Sequence, residues 1–151
     1  MDRAWKPNVT VASLLEREGR FLVVEERTHD GLRFNQPAGH VEPGESLLEA
    51  AVRETLEETA HVFAPEFLVG IYQWTVPGSD LTYLRFAFGG RDGGARADRE
   101  LDEGIVRALW LTPDELRECR ERHRSPLVMQ CVEDWVAGRR HALDLIRHYA
   151  A

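Results

Sequence analysis

Short runs of β-favouring residues separated by turn signals dominate the first part of the chain and predict paired strands. Residues 9–16 and 20–27 are two such runs, and the short glycine-containing segment between them is typical of a hairpin. Residues 67–76 and 81–88 flank the turn-forming residues 77–80, which predicts a second hairpin. The first strand is therefore expected to pair with the second, and the later two with each other.

Helix signals occur at three places farther along. Residues 46–59 are rich in helix formers and contain neither Gly nor Pro, so they predict a helix. Residues 112–115 combine an N-cap, a proline at the first helical position and the Glu of a capping box, which predicts a helix to about residue 120. A cap followed by a proline recurs at Ser125-Pro126, before an amphipathic segment that Gly138 ends.

The remaining segments complete the predicted fold. A short extended stretch is expected at residues 34–39 and a strand at 106–111, whereas the polar, glycine-bearing residues 89–104 predict a loop. Strands and helices mix without regular βαβ alternation, which favours an α+β fold with a mixed β-sheet in an α/β/α sandwich. Because no repeat or linker is visible, residues 1–151 are predicted to form a single domain.

Composition narrows the classes of function. The 151 residues are 43% hydrophobic and 30% charged, as expected for a globular domain, and the net charge of −7 argues against general binding to nucleic acid or to an anionic membrane. Lys6 is the only lysine and lies outside any P-loop pattern. The two cysteines, Cys119 and Cys131, have no metal or redox spacing and suit a reducing compartment.

No apolar run in the sequence is long enough for a membrane span, and the residues near Met1 do not have the pattern of a secretory signal. A cytoplasmic location is therefore expected. The sequence does not distinguish a monomer from a homodimer.

The helix at residues 46–59 carries an unfavourable concentration of negative charge. Glu54, Glu57 and Glu58 fall within about 100° of arc on one face, whereas Arg53 is expected to point away from Glu54. Each like-charge pair at helical spacing costs about 0.2–0.5 kcal/mol, and the helix dipole adds a further penalty near the C-terminus. Either this face is a solvated acidic surface, or the carboxylates bind a hard cation such as Mg²⁺ that cancels their repulsion.

A longer pattern favours the cation site. Gly39, five residues, Glu45, seven residues and Arg53-Glu54, followed by Glu57-Glu58, resemble the Nudix box G-x5-E-x7-R-E-U-x-E-E-x-G-U, in which U is a bulky aliphatic residue. Every charged position matches. The sequence departs from the box at three positions, with Thr55 and His61 in place of aliphatic residues and Ala60 in place of the closing glycine.

The resemblance implies the Nudix fold and a hydrolase that uses Mg²⁺, or alternatively Mn²⁺, on a nucleoside diphosphate or other diphosphate linked to another group. It implies that Glu45 and Arg53 orient the loop and the helix through an ion pair. The metal ligands that it implies are Gly39 (through its carbonyl oxygen), Glu54, Glu57 and Glu58. Metal-activated water would be the nucleophile, so no covalent nucleophile is required.

The resemblance does not identify the general base, because the residue that takes this role varies within the family. The acidic residues 98–103 could supply a carboxylate, with Glu103 the first candidate and Glu100 the second. A solvated loop is the alternative interpretation for both.

Candidate substrate contacts lie outside the box. On the predicted second hairpin, Tyr72 and Trp74 share one face of their strand, and Tyr83 and Arg85 share a face of the paired strand. Such a surface could stack on a base and contact a phosphate. The alternative is that the aromatic side chains belong to the core. Asn35 and Gln36 could hydrogen-bond the edge of a heterocycle. His40 and His61 are expected to be structural.

Residues 35–40 and 124–127 further resemble the NudJ-type branch of small phosphatases. This resemblance implies nucleoside di- and triphosphates, or the pyrimidine pyrophosphate precursor of thiamine, as small-molecule substrates. The alternatives are a pyrophosphatase for dinucleoside polyphosphates or nucleotide sugars, and a catalytically silent domain that senses a nucleotide.

Overall fold

The computed structural model describes residues 3–150, so Met1, Asp2 and Ala151 of the predicted domain lie outside the described residues. Short 3₁₀ turns occur at Arg120–Arg122 and Leu143–Leu145. The strands are β1 (Asn8–Arg17), β2 (Arg20–Thr28), β3 (Gly31–Asn35), β4 (Ala38–His40), β5 (His61–Thr75), β6 (Thr82–Ala95) and β7 (Ile105–Leu111). The helices are α1 (Leu47–Thr59), α2 (Pro113–Glu118) and α3 (Leu127–Val136).

Strand β1 lies at the centre of a mixed sheet. It runs parallel to β6 and antiparallel to β4, and β6 pairs with β5 in the second predicted hairpin. β2 pairs antiparallel with β3 and β7. The first predicted hairpin exists only at its tip, where Glu16 faces Phe21 and Arg17 faces Arg20, because the rest of β1 pairs with β4 and β6 instead.

Helices cover the sheet on both sides, which confirms the predicted sandwich. The buried alanines of α1 belong to a hydrophobic cluster on one side. Helices α2 and α3 contribute to a second cluster on the other side. Consecutive residues of β1 alternate between the clusters: Val11 and Leu15 belong to the first, and Ala12 and Leu14 to the second.

The predicted loop at residues 89–104 is partly wrong. β6 continues to Ala95, and β5 begins at His61, earlier than the sequence indicated. Glycines mark a close approach of the two strands here, because a Cβ at Gly89 would overlap the ring of Phe67 and a Cβ at Gly90 would overlap the carbonyl oxygen of Ala64. Glycine in this segment therefore reflects tight packing within a strand.

Helix α1 starts and ends much as predicted. The hydroxyl of Ser46 accepts a hydrogen bond from the Glu49 amide at 3.0 Å. The buried stripe of α1 consists of small residues: Ala50, Ala51, Thr55 and Thr59. Thr55 fits at an aliphatic position of the box because its hydroxyl donates to the Ala51 carbonyl oxygen at 2.7 Å and lies 2.8 Å from the Ser13 hydroxyl.

The shorter helices also follow their sequence signals. Thr112 and Glu115 form the predicted capping box at the start of α2. The Ser125 hydroxyl accepts a hydrogen bond from the Leu127 amide at 3.2 Å, and Gly138 follows α3 with a φ of 82°. Both cysteines are free thiols. Among residues 3–150, no helix is long and apolar enough to cross a membrane.

We expect Ala60→Gly to stabilise the protein by about 0.5–1 kcal/mol. Ala60 ends α1 in the left-handed conformation, with a φ of 61°, which glycine adopts without steric cost. Denaturant unfolding measures the change. The matched control is Ala51→Gly, which places the same substitution inside the helix and should destabilise by about 1 kcal/mol or more. A loss of stability in Ala60→Gly would contradict a strained helix end.

Candidate functional site

The C-terminal half of α1 and the loop before β7 bring three carboxylates together. Oxygens of Glu54, Glu57 and Asp102 lie within 4.8 Å of one another. The loop is fixed here because the Asp102 amide donates to the Glu57 carbonyl oxygen at 2.9 Å. A group of hard oxygen donors at this spacing can bind a divalent cation.

Arg53 is at the centre of the charged network, as the resemblance implied. Its Nε and Nη2 donate to the two oxygens of Glu45 at 2.6 and 3.0 Å, which is the predicted ion pair. Its Nη1 lies 2.9 Å from Glu54 and 3.1 Å from Glu57. The expectation that Arg53 points away from Glu54 is therefore wrong, because the long side chain folds back across the helix surface.

These contacts shift the proton affinities of the network. Hydrogen bonds from Arg53 hold the pKa of Glu45 below its ordinary value, and the same contacts raise the pKa of Arg53. Burial raises the pKa of Glu54, although Arg53 opposes this shift. Arg53 thus only partly compensates the carboxylates around it.

Gly39 of β4 lies directly against the helix. A Cβ at this position would overlap the carboxyl group of Glu54, so only glycine allows the strand to approach so closely. The neighbouring Ala38 amide donates to Glu58 at 2.9 Å. Strand β4 therefore brings the Gly39 backbone to the carboxylates, where the resemblance implies a carbonyl ligand.

Glu58 is in the least favourable electrostatic position. Burial, followed by the charges of Glu54, Glu26 and Asp102, raises the pKa of Glu58 to about 9, despite the hydrogen bond from Ala38. A bound cation would relieve this cost, so the donor set and its uncompensated charge fit a hard divalent metal.

The structure does not bring the two general-base candidates into this cluster. Glu103 and Glu100 are exposed, and the neighbouring Asp102 is the loop residue that joins Glu54 and Glu57. The loop contains several acidic residues. Because it has no helical or strand periodicity, the sequence does not indicate which of them faces the helix. Asp102 therefore lies in the predicted acidic segment 98–103, but it is neither of the two candidates chosen from the sequence.

An aromatic surface does form on the predicted hairpin. Trp74 and Tyr83 are cross-strand partners with stacked rings, whose centroids are 6.2 Å apart. The Tyr83 ring lies 6.4 Å from that of His40, next to Gly39, and so connects this surface to the carboxylates. Tyr72 is tied to α3 by a hydrogen bond from its hydroxyl to Asp134 at 2.7 Å.

Asn35, Gln36 and Arg85 form a network on the α3 side of the sheet. Gln36 is buried, with its amide nitrogen bonded to the Val128 carbonyl oxygen at 2.7 Å and its amide oxygen to Arg85 at 2.9 Å. Arg85 also donates to Asn35 at 3.0 Å. Within residues 3–150, no carboxylate lies at ion-pair distance from the buried Arg85 guanidinium.

A cavity of about 550 Å³ opens beside Trp74. Its size suits a small organic ligand. Burial lowers the pKa of His123, so this ring is neutral at pH 7. The cavity is lined by Trp74, Arg120, His123, Arg124, Ser125, Pro126, Gln130 and Glu133. Of these residues only Trp74 is a contact predicted from the sequence, because the others lie far from the predicted hairpin along the chain.

Comparison with known proteins identifies relatives along most of the chain. The family profile of the NUDIX domain matches residues 4–131. Phosphatase NudJ of Escherichia coli K12 is 37% identical over 142 residues, which cover 94% of this chain and 92% of that protein.

Solved structures agree with this assignment. A NUDIX hydrolase from Nitrosomonas europaea superposes with a TM-score of 0.92 at 52% identity, covering 95% of this chain and 98% of that one. A MutT NUDIX hydrolase from Burkholderia pseudomallei shares the fold, with a TM-score of 0.73 at 17% identity over 86% of this chain and 98% of that one. The predicted fold class is thus confirmed.

We expect Glu58→Gln to be more stable than the wild type at pH 8 in metal-free buffer, by about 1 kcal/mol or more. The pKa of a glutamate is 4.5 in the unfolded chain and about 9 for folded Glu58. Between these values the unfolded chain releases a proton that the folded protein keeps, so the stability of the folded protein falls as pH rises. Denaturant unfolding at pH 5 and pH 8 tests this. The advantage of the variant should shrink at pH 5, and an advantage independent of pH would contradict the burial argument.

Proposed function

The chain belongs to the Nudix family of hydrolases, and on this premise we propose that it uses Mg²⁺, or Mn²⁺, to hydrolyse phosphoanhydride bonds of small nucleoside di- or triphosphates or of the pyrimidine pyrophosphate precursor of thiamine. The observation that carries the proposal is the carboxylate cluster of Glu54, Glu57 and Asp102 beside the buried Glu58. Phosphatase NudJ, by its name, removes phosphate groups, and this favours release of a terminal phosphate.

We assign the metal-holding role to Glu54, Glu57, Glu58 and the Gly39 carbonyl oxygen. A divalent cation bound there would neutralise phosphate oxygens, orient an in-line water and lower its pKa. Glu45 does not touch this cluster, but its ion pair with Arg53 fixes the guanidinium that in turn holds Glu54 and Glu57. Glu45 and Arg53 are therefore positioning residues.

Asp102 is our candidate for the general base, in place of Glu103. The water oxygen attacks the phosphorus atom as the anhydride P–O bond breaks, and the bond electrons stay on the bridging oxygen, which departs with the rest of the substrate. The water proton passes to the Asp102 carboxylate. Asp102 suits this role because it is exposed to solvent and reaches the cluster from outside the helix.

The cavity beside Trp74 would take the heterocycle. Stacking on Trp74 and Tyr83 extends from the cavity towards His40 and Gly39, so a ligand seated here has its phosphates directed to the carboxylates. Arg85, which lacks a carboxylate partner in the described part of the chain, and Asn35 are candidates for polar contact with the substrate.

Two of the predicted contacts take a supporting role in this proposal. The polar atoms of Gln36 are both bonded to protein groups, and the Tyr72 hydroxyl is bonded to Asp134, so these side chains hold the wall of the site. A small molecule is the expected partner, because the net charge of −7 disfavours nucleic acid and anionic membranes. A monomer and a homodimer are both compatible with this function.

The proposal is tested by measuring phosphate and pyrophosphate released from nucleoside di- and triphosphates and from the thiamine precursor, with and without Mg²⁺. We expect metal-dependent phosphate release. Glu57→Gln should lower this activity by about 100-fold or more, because it removes a charged metal ligand. Its stability should change little, since the lost contact with Arg53 offsets the relief of repulsion.

Other outcomes of that assay would overturn parts of the proposal. Release of pyrophosphate alone would indicate a triphosphate-cleaving enzyme. If no compound in the panel is hydrolysed, a nucleotide sensor or a dinucleotide pyrophosphatase becomes the better explanation. Full activity in a folded Glu57→Gln protein would exclude Glu57 as a metal ligand.

Asp102→Asn and Glu103→Gln form a matched pair for the role of the loop. Both neutralise an exposed acid, at adjacent positions of the same loop. We expect Asp102→Asn to lower kcat by about 100-fold or more, and Glu103→Gln to change it by less than about twofold. The reverse order, measured under saturating Mg²⁺, would restore Glu103 as the base.

A further inference from the structure

We propose that Glu25 and Glu26 of β2 are positioning residues for the substrate, because they hold the segment 120–126 that forms most of the cavity wall. This inference rests on the proposed function, in which the cavity takes the heterocycle. The segment contributes Arg120, His123, Arg124, Ser125 and Pro126 to the wall. Apart from the short 3₁₀ turn at Arg120–Arg122, it has no helix of its own, so its position depends on contacts with the neighbouring strands.

Glu25 forms the stronger of the two anchors. It is only 5% exposed, and it accepts hydrogen bonds from Arg122 at 2.6 Å and from Arg107 of β7 at 2.9 Å. Burial opposes the charge of Glu25, but these arginines outweigh it and lower the pKa of Glu25. Because a buried carboxylate requires its partners, Arg122 is held firmly against the sheet.

Glu26 forms the second anchor. Its carboxylate lies 2.9 Å from Arg124, a residue of the cavity wall. Two consecutive residues of β2 therefore hold two residues of the segment, Arg122 through Glu25 and Arg124 through Glu26. A backbone hydrogen bond also holds the segment, because the Arg124 amide donates to the Phe34 carbonyl oxygen of β3 at 2.8 Å.

The same strand also connects the cavity to the carboxylate cluster. The Arg27 amide of β2 donates to the Gly104 carbonyl oxygen at 2.8 Å, and Asp102 in the same loop is bonded to Glu57 of α1. Strand β2 therefore contacts both the segment 120–126 and the loop that carries Asp102. Loosening the segment should let the wall move relative to the cluster, and this would weaken substrate binding more than it slows the chemical step.

Arg122 and Arg107 provide a matched test, because both pair with the Glu25 carboxylate but only Arg122 belongs to the segment. Neither lines the cavity. We expect Arg122→Gln to raise KM for the preferred substrate by roughly tenfold with kcat changed by less than about twofold, and Arg107→Gln to leave both near the wild-type values. Should Arg122→Gln fail to fold, Arg122→Lys keeps the charge and should give a smaller increase in KM.

Hydrogen exchange of the backbone gives a second readout that does not need activity. The amides of residues 120–126 should exchange faster in the Arg122 variant than in Arg107→Gln. Equal KM values or equal exchange in the two variants would overturn the positioning role. If the wild type hydrolyses nothing in the panel, the proposed function fails, while the exchange rates still decide whether Glu25 anchors the segment.

Discussion

Repulsion among carboxylates at the end of α1 is the constraint on which the rest of the site depends. Glu54, Glu57 and Asp102 crowd together, and Glu58 is buried beside them. Arg53 offsets part of this repulsion through short contacts, but Glu45 takes two of its hydrogen bonds. The negative charge that remains is what attracts a divalent cation. If protein groups neutralised all the carboxylates, the site would lose its affinity for the cation.

The rest of the fold holds these groups in place against their repulsion. Small residues on the buried face of α1 let the helix lie close to the sheet, and Ser13 meets Thr55 at this contact. Gly39 allows β4 to approach the Glu54 carboxyl group. The free energy that keeps the carboxylates together therefore comes from hydrophobic burial in two clusters on either side of β1, away from the charges themselves.

Local signals made much of the fold predictable from the sequence. The cap at Ser46, the capping box at Thr112 and the turn of the second hairpin act within a few residues, and all three occur in the structure. The pairing of β1 was not predictable, because strands distant in sequence compete for the same edge. The prediction that Gly89 and Gly90 lie in a loop is wrong, because glycine occurs both in turns and where two strands approach closely.

In the candidate site, too, the residues set by local spacing could be predicted from the sequence, and those set by tertiary contacts could not. Glu54, Glu57 and Glu58 lie at helical spacing, so their convergence followed from the sequence, whereas the choice of Asp102 over Glu103 depends on one backbone hydrogen bond to Glu57. The cavity wall depends even more on tertiary contacts, because segment 120–126 is held by residues almost a hundred positions earlier, with a separation of 97 between Glu25 and Arg122. The carboxylates lie on a rigid helix, whereas most of the cavity wall lies on a separate, anchored segment. A substitution in the wall can therefore change the substrate contacts while the carboxylates stay in place.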